Sequence, residues 1–302
     1  MTYRALTEFC EVPHGTNIDL VPLKEGIECA NVTQDETMWE LWKKENVNHG
    51  DINNKQKDIN TKGTKKKRYY KTFEKLSWAT LGYRFDWTAR AYREKNKSKM
   101  PELLNQLGCF FAQIGEEINP NATLDTIQKY SFTASAAIVN YYSLKSAMGG
   151  HRDDSELDIT KPVVSFSLGL PAVFMIGGKT KEEGPVVPLL LRPGDVMLLG
   201  GDSRLNFHRV ARILSEEVVL PPVGSKIGDS IISDYQINSW DVIFKDGIST
   251  DDIVTPSSDF AAIKQFLSQY RVNANVRQVL PDGIDRIPGD DDDDDESVDI
   301  NT

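Results

Sequence analysis

The sequence predicts a mainly β protein with flanking helices, and three observations lead to this fold class. Seven short apolar runs typical of strands follow one another after residue 131. Turn residues, such as Gly149-Gly150, separate several of them. No long helical pattern lies between them, so we expect an antiparallel barrel or sandwich, with a jelly roll as the leading candidate. The runs are ASAAIVNYYSL, KPVVSFSLG, AVFMIGG, VVPLLL, DVMLLGG, LNFHRVA and VNANVRQVL.

Three regions are predicted along the 302 residues. Residues 1–130 form a helical and basic N-terminal region. One amphipathic helix of this region is predicted to start at Pro101, a residue favoured in the first turn, and its apolar residues recur every three or four positions. Residues 131–280 form the β-rich core. Residues 281–302 form an acidic tail with six consecutive Asp at 290–295, which we expect to be disordered.

The charge of the chain is unevenly distributed. The net charge is -10, yet the stretch Lys55 to Lys99 holds fifteen Lys or Arg and only four Asp or Glu. Such a basic segment attracts polyanions. The KKKR cluster at 65–68 is either a solvated loop or a nuclear-import signal. Most of the interspersed aromatic residues are expected to pack in the core, with one or two on a substrate lid. These are Tyr69, Tyr70, Trp78, Tyr83, Phe85 and Trp87.

Composition excludes several classes of protein. Three scattered cysteines, Cys10, Cys29 and Cys109, are not a disulfide framework, so a reducing compartment is expected. The longest apolar runs are too short to span a bilayer, and no membrane association is predicted. The first residues lack the apolar centre of a secretory signal. We therefore expect a nuclear or cytoplasmic location, with the mitochondrion as the alternative.

Two of the four histidines lie in the strand-rich half beside an aspartate. His151 and Asp153 are two positions apart and would face the same side of a strand, while His208 lies in a separate β-like run. Two histidines and one carboxylate are the ligand set of non-haem Fe(II) oxygenases. The alternative is that His151 is an exposed loop residue and that His208 is a core residue satisfied by a hydrogen bond.

The last predicted strand carries a polar stripe. Alternate residues of a strand share a face, which groups Arg271, Asn273, Asn275 and Arg277. Facing inward, they would suit a buried dicarboxylate, because arginine binds carboxylates through two hydrogen bonds. Facing outward, they would be a solvated stripe over Val272, Ala274 and Val276. The periodicity leaves both orientations open. On another strand, Asn140 and Tyr142 alternate in the same way and would reach the same ligand.

Taken together, these motifs resemble the AlkB family of Fe(II)/2-oxoglutarate-dependent dioxygenases, and its homologue-1 branch in particular. The resemblance rests on N-Y-Y at 140–142, H-R-D at 151–153, S-R-L-N-F-H at 203–208 and R-V-N-A-N-V-R at 271–277. L-G-Y-R-F-D-W at 81–87 is also similar to that branch. Homologue-1 proteins usually have a longer N-terminal part, so we expect this chain to lack a piece of it.

The resemblance implies a double-stranded β-helix and a set of site residues. Its iron ligands would be His151, Asp153 and His208. Arg271 would pair with the distal carboxylate of 2-oxoglutarate. The residues that hold the rest of that molecule would be Asn140, Tyr142, Asn273 and Arg277. The family often has an acidic base-reading residue where this chain has Ser155, so base recognition would use other groups, with Glu156 and Asp158 nearby.

The activity implied is oxidative removal of N-methyl groups from nucleic-acid bases, with molecular oxygen as the other substrate. The homologue-1 resemblance points to N1-methyladenine in tRNA or methyladenine in DNA. By the same resemblance, residues 1–130 would bind the substrate and residues 131–280 would be catalytic. The alternatives are a 2-oxoglutarate oxygenase that acts on protein, through methyl-lysine or hydroxylation, and a non-catalytic nucleic-acid-binding module.

Overall fold

Two antiparallel β-sheets form the centre of the structure, a computed structural model that describes residues 15–17, 39, 76–95, 97–215 and 260–290. The KKKR cluster, Tyr69, Tyr70 and the tail beyond Asp290 lie outside the described residues. The strands are β1 (Trp78–Gly82), β2 (Arg84–Asp86), β3 (Ala91–Arg93), β4 (Ala136–Ser143), β5 (Met148–His151), β6 (Val163–Gly169), β7 (Ala172–Ile176), β8 (Val187–Leu191), β9 (Val196–Leu199), β10 (His208–Ile213) and β11 (Tyr270–Arg277).

The order of the strands confirms the predicted fold class. The larger sheet has the order β1-β4-β11-β6-β9, the smaller has the order β5-β10-β7-β8, and β2 and β3 form a separate hairpin. From β4 onward the chain passes repeatedly between the two sheets, and side chains from both sheets line one cavity. This is a double-stranded β-helix, a jelly roll closed around an interior that can hold a ligand.

Three helices lie beside the larger sheet or near it: α1 (Glu102–Glu117), α2 (Leu124–Lys129) and α3 (Phe260–Leu267). Helix α1 begins directly after Pro101, as predicted, and buries Leu104 and Ala112. Gly108 lets the helix approach the sheet closely, because a Cβ there would lie 2.8 Å from Val276 Cγ1. None of the helices in the described ranges combines the length and the apolar character that a membrane crossing needs.

Strand β11 is buried on both faces, which decides the orientation that the sequence left open. Val272, Ala274 and Val276 belong to the apolar core that includes residues of α1. The other face carries Arg271 and Asn273, which line the cavity between the sheets. The polar stripe therefore points inward.

The larger sheet begins well before residue 131, where the sequence analysis placed the start of the β-rich core. Strand β1 pairs antiparallel with β4, from Trp78 opposite Asn140 to Gly82 opposite Ala136. Four of its five residues are buried. A strand buried on both faces lacks the polar–apolar alternation by which sequence analysis recognises strands.

The C-terminal segment, residues 281–290, also differs from the predicted disordered tail. The backbone oxygen of Asp285 accepts a 2.8 Å hydrogen bond from the Tyr83 hydroxyl. Ile287 packs on a small core cluster that contains Tyr83 and Tyr92. Ile287, an apolar residue in a charged stretch, supplies part of this anchorage. The average composition of the tail does not reveal it.

Gly169, at the end of β6, is expected to be intolerant of substitution. Its φ is +73°, and a Cβ would lie 2.1 Å from the Tyr270 backbone oxygen. Gly184 has a similar φ of +70° but open space around it, so it is a matched control. We expect Gly169→Ala to lower the free energy of unfolding by at least about 1 kcal/mol more than Gly184→Ala, the typical cost of steric overpacking. Urea denaturation measures both, and equal losses would contradict the close approach.

Candidate metal centre and adjoining cavity

Three side chains converge at one end of the smaller sheet. His151 and His208 are directly opposite each other in the pairing of β5 with β10, and their ring centroids are 4.4 Å apart. Asp153 follows β5 by two residues. One ligand atom from each of the three residues lies within 4.8 Å of the others, so the group can hold a metal ion. The sequence-predicted metal ligands are therefore brought together by the register of two neighbouring strands.

Backbone carbonyls fix the tautomer of both imidazoles. His151 Nδ1 lies 2.9 Å from the Gly149 oxygen, and His208 Nδ1 lies 3.0 Å from the Asn206 oxygen. A carbonyl only accepts hydrogen bonds, so each Nδ1 carries the proton and each Nε2 keeps its lone pair. Both Nε2 atoms lie 3.8 Å from an Asp153 carboxylate oxygen, beyond hydrogen-bonding distance. Three electron-pair donors thus surround a common point.

The charges of the three residues suit a divalent cation. Burial raises the pKa of the Asp153 carboxyl, but Arg277 and the two histidines outweigh burial and hold that pKa at about 2. Burial lowers the pKa of His208, against the opposing attraction of Asp153. At neutral pH the carboxylate is therefore charged and His208 is neutral, which are the protonation states that bind metal.

A buried network of charges supports Asp153 from behind. Arg277 Nη2 donates a 2.8 Å hydrogen bond to Asp153 Oδ2, and Arg277 Nε lies 2.9 Å from Glu156 Oε1. Arg204 Nη2 donates to Glu156 Oε2 at 2.8 Å, and Arg204 Nη1 donates to the Asp153 backbone oxygen. The Tyr92 hydroxyl of the hairpin donates to Glu156 Oε1 at 3.0 Å. The sequence analysis left the role of Glu156 open. In the structure, Glu156 joins the hairpin to the loop after β5 that carries Asp153.

Removing Glu156 is expected to destabilise the protein strongly. Glu156→Ala would leave two buried arginines without this shared carboxylate, a change that typically costs about 3–5 kcal/mol. Glu182 is exposed and serves as the control, since substitutions at such surface positions usually stay within about 0.5 kcal/mol. Urea denaturation of Glu156→Ala and Glu182→Ala measures the difference. A loss below about 1 kcal/mol for Glu156→Ala would show that the network does not hold the fold.

The cavity that contains the metal-ligand set extends between the two sheets to Arg271. Tyr142, Arg271 and Asn273 line it together with the three ligands. Arg271 is directly opposite Tyr142 in the pairing of β11 with β4, and Asn273 is opposite Asn140. Asn140 is buried beside the stripe but does not line the cavity. Four of the five predicted cosubstrate residues thus lie along one stretch of two adjacent strands, while the fifth, Arg277, contacts Asp153 instead.

Arg271 is a buried cation without an anionic partner in the described part of the chain. Only 1% of its surface is exposed. Its Nη1 donates to the Leu170 backbone oxygen at 3.2 Å and its Nη2 donates to Ser167 Oγ at 2.8 Å, but Nε has no hydrogen-bond partner among the described residues. Burial lowers its pKa to about 10, so the side chain stays charged at neutral pH. A buried, unpaired charge is costly, which indicates that a carboxylate ligand completes this site.

Three residues in or beside the cavity were missed at the sequence level: Ser165, Ser167 and Met148. Ser165 Oγ accepts a 2.8 Å hydrogen bond from Asn273 Nδ2, and Ser167 accepts from Arg271. Met148 lines the cavity, and its sulfur lies 3.7 Å from the Tyr142 hydroxyl. Asn275, a member of the predicted stripe, lines the cavity too. The two serines alternate along β6 in the same way as the stripe on β11, so period-two alternation was the signal that could have found them.

Comparison with known proteins assigns the family. Residues 34–277 match the family model described as the 2OG-Fe(II) oxygenase superfamily. The chain belongs to this superfamily. Fe(II) and 2-oxoglutarate are therefore its cofactors, as predicted. The residues present fit both groups. Two imidazole Nε2 atoms and an ionised carboxylate suit the iron, and the buried Arg271, which has no anionic partner among the described residues, suits a dicarboxylic acid.

Within the 2OG-Fe(II) oxygenases, individual relatives confirm the predicted resemblance to AlkB homologue 1. The chain is 34% identical over 211 residues to the DNA N(6)-methyladenine demethylase ALKBH1A of Arabidopsis thaliana, covering 68% of this chain and 49% of that protein. It is 32% identical over 225 residues to the nucleic acid dioxygenase ALKBH1 of Homo sapiens, covering 71% and 49%. It is 36% identical over 166 residues to the tRNA demethylase abh1 of Schizosaccharomyces pombe, covering 55% and 51%. The chain thus spans about half the length of these relatives.

Proposed function

We propose that the chain is an Fe(II)- and 2-oxoglutarate-dependent oxidative demethylase of N-methylated bases in nucleic acid, with N1-methyladenine in tRNA or methyladenine in DNA as substrate. One observation carries the reaction class: a complete metal-ligand set shares one cavity with a buried arginine that has no anionic partner in the part of the chain that the structure describes. The names of the relatives, which describe demethylases and a dioxygenase of DNA, tRNA and nucleic acid, support the substrate class.

Each residue of the site would have a distinct role in this reaction. His151, Asp153 and His208 hold the metal, and Arg277 keeps the Asp153 carboxylate charged and oriented. Arg271 anchors 2-oxoglutarate at the other end of the cavity. With both groups and molecular oxygen bound, the chemistry supplied would be hydroxylation of an N-methyl group coupled to oxidative decarboxylation of 2-oxoglutarate to succinate and carbon dioxide, with one oxygen atom going to the methyl group and the other to succinate. The hydroxymethylated base would then release formaldehyde. The protein orients the reactants and shields them from water.

The β2–β3 hairpin supports a nucleic-acid substrate. It belongs to the N-terminal region that the sequence analysis assigned to substrate binding. Tyr83 and Tyr92 are core residues, whereas Trp87 at the hairpin turn is 43% exposed and lies 4.8 Å from Phe85, centroid to centroid. An exposed aromatic surface can stack on a base that has left the helix. The neighbouring Arg90 lies 3.7 Å from Asp154, next to the metal ligand Asp153, so the hairpin is beside the reaction site.

A panel of substrates tests the proposal. The full chain, loaded with Fe(II) and 2-oxoglutarate, is incubated with N1-methyladenine tRNA, with methyladenine DNA and with a methyl-lysine peptide, each beside its unmethylated counterpart. Mass spectrometry then follows succinate, formaldehyde and the methyl group. We expect succinate and formaldehyde in equal amounts from a methylated nucleic acid only. Turnover of the peptide alone would identify a protein oxygenase. Oligonucleotide binding without any turnover would identify a non-catalytic module.

A further inference from the structure

The C-terminal segment holds the hairpin at two points beyond the tyrosine contact described above. Asp290 accepts a hydrogen bond from the Glu94 backbone N–H at 2.6 Å, and its carboxylate lies 3.3 Å from Arg93 Nη1. The Ile287 backbone N–H donates to Glu94 Oε1 at 2.7 Å. Only 19% of the Asp290 side chain is exposed. The position of Asp290 is therefore fixed against the strand that ends the hairpin.

Asp290 is also the first of the six consecutive aspartates. The acidic run, residues 291–296, follows it with five more Asp and one Glu. A chain advances at most about 3.5 Å per residue, so all six carboxylates stay within roughly 25 Å of Arg93 once side-chain length is included. Whatever path the acidic run takes, its charge is tethered beside the hairpin.

The hairpin and the residues that follow it present a surface of opposite charge. Lys95 and Lys99 are exposed, and the Arg90 side chain is 72% exposed. Lys95 directly follows Glu94, which contacts Asp290. The hairpin itself lies beside the loop that carries Asp153, because the Tyr92 hydroxyl contacts Glu156 and Arg90 lies near Asp154. An acidic run tethered at Asp290 is long enough to reach the surface to which the phosphates of a bound nucleic acid would be attracted.

We propose that the acidic run occupies the exposed cations of the hairpin region, Arg90, Lys95 and Lys99, and competes there with nucleic acid. Asp290 is the fixed anchor, and the following six residues are the occupant. The competition with nucleic acid rests on the proposed function, whereas the contact between the acidic run and the lysines does not. The effect on the enzyme is selective: ligands with few phosphates are repelled, and long polyanions displace the run.

The contact is tested first without any nucleic acid. A variant with Asp291–Asp295→Asn and Glu296→Gln keeps the length of the chain and the Asp290 anchor but removes six charges. Brief acetylation at about 50 mM salt, read by mass spectrometry, compares lysine reactivity in the two proteins. We expect Lys95 and Lys99 to react several-fold faster in the variant. Lys145 is exposed in the turn that follows β4, at the end of that strand away from the hairpin. It is the internal control and should react at the same rate in both proteins. Equal reactivity of Lys95 and Lys99 in both proteins would overturn the proposal.

The competition is tested by fluorescence anisotropy with a single-stranded, unmethylated oligonucleotide. At about 50 mM salt the charge-neutralised variant is expected to bind about tenfold more tightly than the full chain, a gain that screening should abolish near 1 M salt. A Lys95→Ala, Lys99→Ala background should remove most of the gain. Equal affinities at low salt would refute the competition. A lysine footprint that changes while neither protein binds oligonucleotide would instead refute the nucleic-acid substrate and leave the contact standing.

Discussion

Asp153→Ala is expected to abolish turnover while leaving the affinity for oligonucleotides largely intact. Asp153 supplies the one anionic ligand of the metal-ligand set, and its oxygens lie 3.8 Å from both imidazole Nε2 atoms. Changing a group that only supports a metal ligand typically costs 10–100-fold in metal affinity or activity, so losing the ligand itself should cost more than about 100-fold. Calorimetry with Fe(II) under anaerobic conditions measures metal binding, and succinate release measures turnover.

The neighbouring aspartate is a matched control for this experiment. Asp154 also lies near arginines, 3.1 Å from Arg152 and 3.7 Å from Arg90, but it is not part of the metal-ligand set. Asp154→Ala should therefore bind Fe(II) normally. Asp153→Ala also leaves Arg277 without its partner. Asp153→Asn removes the charge of the side chain but keeps its shape, so comparing the two variants separates these effects. Robust turnover by Asp153→Ala would remove this residue from the ligand set.

Arg271→Met is expected to raise the concentration of 2-oxoglutarate needed for half-maximal turnover by about 100-fold or more. A two-point contact to a carboxylate involves two hydrogen bonds between charged groups, each contributing about 1.5–3 kcal/mol. Every 1.4 kcal/mol is a factor of about ten in affinity. Titration of 2-oxoglutarate against succinate release measures the change. Arg212→Ala, at an exposed position on β10, is the control and should titrate normally.

The stability of the same variant distinguishes a ligand-binding arginine from a structural one. In the cofactor-free protein Arg271 forms no ion pair with a carboxylate among the described residues, and Asp195 only partly offsets its charge. Replacing it with a side chain of similar length therefore removes a poorly compensated buried charge. We expect the melting temperature of Arg271→Met without 2-oxoglutarate to equal or exceed that of the parent. Added 2-oxoglutarate should raise the melting temperature of the parent but not of the variant. A variant that melts much earlier would make Arg271 a structural residue.

Sequence analysis recovers the strands from β4 onward except β5, and it misses those before β4. The pair Gly149-Gly150, interpreted as a turn, lies inside β5. The runs that became β4, β6 and β11 are bounded by turns and rich in β-branched residues, which is sufficient to locate them. Strand β1 and the hairpin strands are three to five residues long and lie in an aromatic, basic context without clean alternation. Their identity as strands depends on pairing with β4 and with each other, a tertiary property that no local pattern encodes.

The metal ligands could be predicted and their support could not. Order and spacing of His151, Asp153 and His208 left a non-metal interpretation open, and the resemblance to the AlkB family favoured the ligand set. The network behind them joins Tyr92, Glu156, Arg204 and Arg277, which come from four distant segments. Only the register of the sheets brings these charges together. For the same reason the inward orientation of the polar stripe on β11 was undecided until the helix packing on its other face was known.

The two-faced character of β11 has a consequence for how the chain reaches its native state. A slip of one residue in its pairing with β4 and β6 would turn Arg271 toward the helices and Val272 toward the cavity. Only the correct alignment can accept the dicarboxylic acid. The cofactor therefore favours correctly aligned molecules by mass action, and adding it during refolding should increase the yield of active enzyme.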